Sequence, residues 1–140
     1  MTRYATTTNL VRLGIRAEAL SGVATAVQEE ALDAASAVAD GYLRARGYVL
    51  PITAWSADLT RAVAILAAFD LLVTRGFDPA RGNDQVMQLR YEQAIAWFRD
   101  VSAGRAAVTG GNTTPAPVSG AGARSGDGGA RVRSKPMRGW

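Results

Sequence analysis

The chain contains no cysteine and no histidine. Disulfides, thiol nucleophiles and Ser-His-Asp triads are therefore excluded, and a structural zinc site, built from those two residue types, is close to excluded. Lysine is nearly missing as well: Lys135 is the only one among 16 basic residues. No apolar run approaches the roughly 20 residues that a membrane span needs. The longest, Ala62 to Leu72, is interrupted by Asp70. Met1-Thr2-Arg3-Tyr4-Ala5 lacks the apolar stretch of a secretion signal, which points to a cytosolic origin. Carboxylates and arginines are what remain for chemistry.

The 140 residues give room for one small domain and some excess. The net charge of +4 hides a split. Residues 1–103 carry ten arginines against eleven carboxylates, a net −1, whereas residues 104–140 carry six cations against Asp127, a net +5. The second segment also holds nine of the 15 glycines and almost no bulky apolar side chain before Met137 and Trp140. Alone it buries too little to offset chain entropy. The chain thus divides into a near-neutral body over 1–103 and a basic Gly/Arg-rich arm over 104–140.

Within the body the spacing predicts helices. Thr6-Thr7-Thr8-Asn9 offers caps for a short first helix, Leu10-Val11-Arg12-Leu13, that Gly14 ends, and Ile15 to Leu20 adds a turn. A long helix is expected from about Thr25 to Arg46, with Thr25 as cap and Glu29, Glu30 and Asp33 early, where carboxylates suit the helix dipole. Its apolar face reads as Val27, Ala31, Ala34, Val38, Tyr42 and Ala45. Gly47 to Trp55 is a loop fixed by Pro51, after which Ser56 reads as the cap of a third helix running to about Thr74 and stopped by Gly76. That helix is apolar on nearly every side between Ala62 and Val73, so it lies at the bundle centre or against another subunit. A fourth helix is expected from about Asp84 to Ala103, with Val86, Leu89, Gln93, Ala96/Trp97 and Val101 along one side.

Few residues suggest a reaction. Glu29, Glu30 and Asp33 are the densest carboxylates, but a place early in a helix accounts for them. Asp70, a charge in an apolar helix, calls for a partner such as Arg61, Arg90 or Arg99, and a structural or inter-subunit ion pair is favoured over catalysis. Tyr42, Tyr48, Trp55 and Trp97-Phe98 read mainly as core, with Trp55, in a loop, the best aromatic candidate for a subunit contact. No Gly-x-x-x-x-Gly-Lys-Ser/Thr occurs, which removes a phosphate-loop reading. The arm's Arg131-Val132-Arg133-Ser134-Lys135-Pro136-Met137-Arg138 fits three uses: an extended peptide docking on a partner with Trp140 as anchor, a nucleic-acid clamp, or a solvated tail.

Motif order says more. Arg3-Tyr4-Ala5-Thr6, then Asp40-Gly41-Tyr42-Leu43 with Arg46, then Tyr48 and Leu50-Pro51, then a last helix bearing Tyr91, Ala94 and Trp97 before Gly104, closely resembles the head–tail adaptor family of Mu-like tailed phages. The resemblance covers about residues 3–108, so the arm past 110 is read from composition alone. It implies an all-α fold, a small bundle of about four helices with a long extended C-terminal arm. It also implies a non-enzymatic structural protein of the virion, without cofactors. Its copies form a ring, most often of twelve, directly below the portal protein. DNA passes non-specifically through the centre, and the lower surface meets a tail-connector or tail-terminator protein.

On this reading the portal-docking arm carries Arg124, Arg131, Arg133, Lys135, Arg138 and Trp140, and the subunit interface includes Trp55, Asp70, Tyr42 and Arg46. The protein would assemble in the host cytoplasm and end at the head–tail interface. The alternative from another class is a nucleic-acid-binding protein that uses the Arg-rich tail.

Overall fold

A computed structural model describes residues 2–76 and 82–108. The arm residues Arg124, Arg131, Arg133, Lys135, Arg138 and Trp140 lie outside them. Within the described residues the fold is all-α, as the sequence predicts: α1 (Thr7–Asn9), α2 (Thr25–Arg46), α3 (Ala57–Gly76) and α4 (Gly82–Ser102). Between α1 and α2 the chain makes one wide π-type turn over Leu10–Gly14 and a tighter 3-10 turn over Ala17–Leu20.

Local signals set most boundaries. Thr6 and Asn9 form a reciprocal capping box at α1: Asn9 N–H donates to Thr6 Oγ1 at 3.2 Å and Thr6 N–H donates to Asn9 Oδ1 at 2.8 Å. Gly47, at φ 102°, stops α2. Its N–H donates to Arg44 O and that of Tyr48 to Leu43 O, both at 3.1 Å, so the last carbonyls are satisfied. Gly104 closes α4 in the same manner, with Arg105 N–H donating to Asp100 O at 2.8 Å. Leu50-Pro51 is a cis peptide.

Two expected caps are absent. The residue before α2 is Ala24, whose side chain cannot cap, and Thr25 is already helical. Ser56 Oγ is buried without a hydrogen bond, while its backbone N–H donates to Val108 O at 2.6 Å. Tertiary contact with the end of the described chain therefore fixes Ser56, in place of a local cap.

Helix α3 is the centre of the body, packed against α2, α4 and the Leu10–Gly14 turn. Residues 62–68, together with Leu71 and Leu72, are buried. Of the two explanations for its apolar character, the bundle centre suffices. Leu32, Ala35, Ala39 and Leu43 of α2 and Ala94, Phe98 and Val101 of α4 complete the core.

The structure corrects both outer stripes. On α2 the buried face is Leu32, Ala35, Ser36, Ala39 and Leu43, whereas Val27 and Val38 are 42 % and 45 % exposed and Ala34 and Ala45 are exposed too. On α4 Val86 and Leu89 are each 55 % exposed, and Gln93 and Ala96 also face solvent; of the expected line only Val101 is buried, with Trp97 half-buried. Alanine on several sides of a helix makes more than one face look apolar. Packing then selects the face with Leu32 and Leu43 on α2 and the face with Phe98 on α4, because large side chains gain most from burial.

The N-terminal segment crosses α3 closely. A Cβ at Gly14 would lie 2.7 Å from Ala64 O and 2.8 Å from Ala68 Cβ. Replacing Gly14 by alanine is therefore expected to destabilise the fold by about 1–3 kcal/mol. At Gly41, inside α2, an added Cβ would meet nothing within 4 Å, so Gly41→Ala is expected to stabilise by roughly 0.5–1 kcal/mol. Urea titration followed by circular dichroism measures both; equal effects of the two substitutions would contradict this packing.

Candidate functional site

The motif residues converge on one seam. Tyr4 is 1 % exposed, and its phenol O–H donates to Asp40 Oδ1 at 2.5 Å. Its backbone N–H donates to the buried Ser36 Oγ at 3.1 Å, and its ring meets Trp55 edge-on with centroids 5.0 Å apart. Burial first, and the neighbouring Asp40 carboxylate second, push the Tyr4 phenol well above its ordinary pKa, so it stays a neutral donor. Trp55 Nε1 donates in turn to Thr60 Oγ1 at 3.0 Å. Just outside, Arg3 is bonded to Asp33 at 2.7 and 3.0 Å and lies 3.6 Å from Glu29. This Arg3 bridge accounts for Glu29 and Asp33 better than the helix dipole, since no carboxylate lies in the first turn of α2.

A second seam joins the loop to the end of the described chain. Tyr48 is buried, and its phenol oxygen accepts from Val108 N–H at 3.4 Å. Val108 is wholly buried, so the chain past residue 103 folds back onto the body as far as 108. Arg46 lies beside Gly104. Tyr42 is half-buried and stacks on Phe98, centroids 5.4 Å apart.

Of the four residues expected at a subunit interface, Tyr42, Arg46 and Trp55 thus cluster near these seams, each only partly exposed. Asp70 is elsewhere: it is exposed at the rim of α3, and none of Arg61, Arg90 or Arg99 forms an ion pair with it within the chain, so of the partners expected for it none comes from the described residues of its own subunit. Arg90 is committed instead to backbone, donating to Leu13 O and, at 3.1 Å, to Gly14 O. Partial desolvation still raises the Asp70 carboxyl above its ordinary value.

One concavity was not legible in the sequence. A groove of about 240 Å³ runs between α3 and α4, lined by Asp58, Arg61, Ile65, Arg90, Gln93 and Trp97 among others. Arg61 and Arg90 line the same groove, and burial first and the neighbouring Arg61 second lower the Arg90 pKa. The contributing residues are distant in sequence and polar at helical spacing, so periodicity reads them as solvated surface.

Among the described residues no group of three or more Asp or Glu is placed to hold a metal ion, and no helix is long and apolar enough to cross a membrane. The described body is a small helical bundle whose polar side chains serve to fasten segments and to shape surfaces. The chain belongs to the family described as Bacteriophage Mu, Gp36, whose profile matches residues 1–125. It is thus a member of a phage protein family. The match runs past residue 110, so the first part of the arm lies within the family's span and is not an addition to it. No curated protein matches the chain.

Tyr4→Phe removes a buried donor to a carboxylate and is expected to cost about 1.5–3 kcal/mol in a denaturation experiment, with the fold retained. A cost within error of zero would remove Tyr4 from its fastening role. For Asp70 the sign is opposite to that of a paired carboxylate. Its folded pKa is raised, so the ionised form is disfavoured in the folded state, and that penalty is present above the folded pKa and relieved as pH falls. Asp70→Asn is therefore expected to raise the melting temperature at pH 7 and to leave it unchanged near about pH 3, where the carboxyl is protonated in both states. A loss of stability at pH 7 would show that Asp70 has a cationic partner.

Proposed function

We propose that this protein is a non-enzymatic head–tail adaptor of a tailed phage. It forms a ring below the portal protein, joins capsid to tail and lets DNA pass. The observation that carries the reading is membership in the Bacteriophage Mu, Gp36 family over residues 1–125. Two further features support it. The motif residues of the resemblance, Tyr4, Asp40, Leu43, Tyr48 and Pro51, lie at or beside the two seams that hold the body together. The body also leaves apolar side chains on the outside of α2 and α4, as a subunit with neighbours does.

In this reading the basic arm docks on the portal through Arg124, Arg131, Arg133, Lys135, Arg138 and Trp140, and the opposite end of the ring meets a tail-connector or tail-terminator protein. Tyr42, Arg46, Trp55 and Asp70 are its interface residues between copies. A ring with a repeated head-to-tail contact closes without leaving a free patch. The arm's charge of +5 over 104–140 favours a second reading, a nucleic-acid clamp, whose affinity would fall steeply with salt.

Limited trypsin digestion of the full chain with and without the portal protein of the same phage separates the two. The adaptor reading expects the chain to co-sediment with the portal and its arm to resist cleavage only there. Cleavage at the same rate with portal bound contradicts arm docking, and failure to co-sediment contradicts the adaptor. Protection by DNA alone, lost in high salt, supports the clamp.

A further inference from the structure

The outer face of α2 and the α3/α4 groove lie on opposite sides of the body. The residues that α2 buries, Leu32, Ala35, Ala39 and Leu43, face α3 and α4, which leaves Val27, Glu30, Ala34, Val38, Gly41 and Ala45 pointing away from them. No α2 residue lines the groove. A surface on one side of a subunit and a concavity on the other are the two halves of a heterologous contact.

We propose that the outer face of α2 of one copy docks into the α3/α4 groove of the next copy of this chain. The proposal rests on the ring reading and adds to it a pair of surfaces that does not depend on Tyr42, Arg46, Trp55 or Asp70.

Three observations select a second copy as the occupant. The first is charge. On the α2 side Arg3 already pairs with Glu29 and Asp33 and Arg44 stands near the far end, which leaves Glu30 as the unpaired carboxylate of the outer face, whereas the groove presents Arg61 and Arg90 against Asp58. Among the described residues neither Glu30 nor Arg61 has an ion-pair partner, so each is available to the other across the contact. The second is apolar surface: Val27 and Val38 are exposed on α2, and Val86 and Leu89 are exposed along the α4 rim beside Gln93. The third is Gly41. It lies inside α2 without a positive φ, and a Cβ there would meet nothing in its own chain. The interior of a helix is disfavoured for glycine, and nothing within the subunit accounts for this one. With Ala34, Ala37 and Ala45 it makes an α2 ridge low enough to enter the groove, where another helix can approach closely.

The test is a charge exchange on the full-length chain, read by analytical ultracentrifugation alone and with the portal, and by electron microscopy. Arg61→Glu and Glu30→Arg are each exposed substitutions, and both variants are expected to melt as the wild type does. Each alone is expected to lose at least tenfold in self-association, because every juncture then sets like charges against each other. Mixed one to one they restore it. In alternating copies each juncture again sets a carboxylate against a guanidinium, in the native sense at one juncture and with the two charges exchanged at the next. Gly41→Leu is expected to keep the fold and lose assembly.

Wild-type rings that tolerate both single changes would overturn the pairing and leave the ring reading standing. Restoration in the mixture, in assemblies that ignore the portal or grow as open filaments, would keep the pairing and overturn the adaptor. A wild type that stays monomeric on and off the portal overturns both.

Discussion

Tyr4 carries a phenol into the seam between α2 and the loop before α3, and its bond to Asp40 together with its ring contact to Trp55 ties three parts of the chain that local signals alone would leave loose. The N-terminal segment has no long helix of its own; α1 is one short turn, followed by a wide turn and a 3-10 turn. It is held by the Tyr4 ring in the core, the Tyr4 N–H on Ser36, and the Arg3 bridge to Asp33. The same ring contacts Trp55, so the loop from Gly47 to Ser56 is placed by the N-terminus as well as by α2. With that segment in position, Gly14 reaches the backbone of α3, and Arg90 finds the Leu13 and Gly14 carbonyls. A cation on backbone oxygens, not on a carboxylate, then sets one wall of the α3/α4 groove.

The helices were legible because their stops are local. Gly47 after Arg44 and Arg46 marks the end of α2, and Gly104 marks the end of α4, each by the left-handed turn that glycine permits. The inward faces were not. In α2 the alanines supply two apolar stripes, and the choice between them depends on Leu32 and Leu43 and on Ser36, which is buried because a backbone N–H far along the chain needs its oxygen. The same holds for Ser56, a good cap by type, which is spent on Val108. Asp70 looked buried because its neighbours in sequence are apolar, but it falls on the rim of α3. The groove needed the α3/α4 hairpin itself, since neither Arg61 nor Arg90 is distinctive alone.

The motif residues that carry the family resemblance are largely those that build the fold. Tyr4, Asp40, Leu43 and Tyr48 work inside the body, whereas Gly41 points outward from the middle of the same α2 motif. A family member can thus be identified through its scaffold while the outer stripes of its helices stay unmarked in the sequence. Those surfaces, the outer stripes of α2 and α4 together with the basic arm, are where the functional account places its partners.

The most direct measurement is a cryo-electron microscopic reconstruction of the particle's neck, with this chain fitted to the density between capsid and tail. The account requires a closed ring of this helical bundle directly beneath the portal, with arm density rising toward it. A neck in which that position is filled by another protein, or a particle lacking this chain altogether, would contradict it.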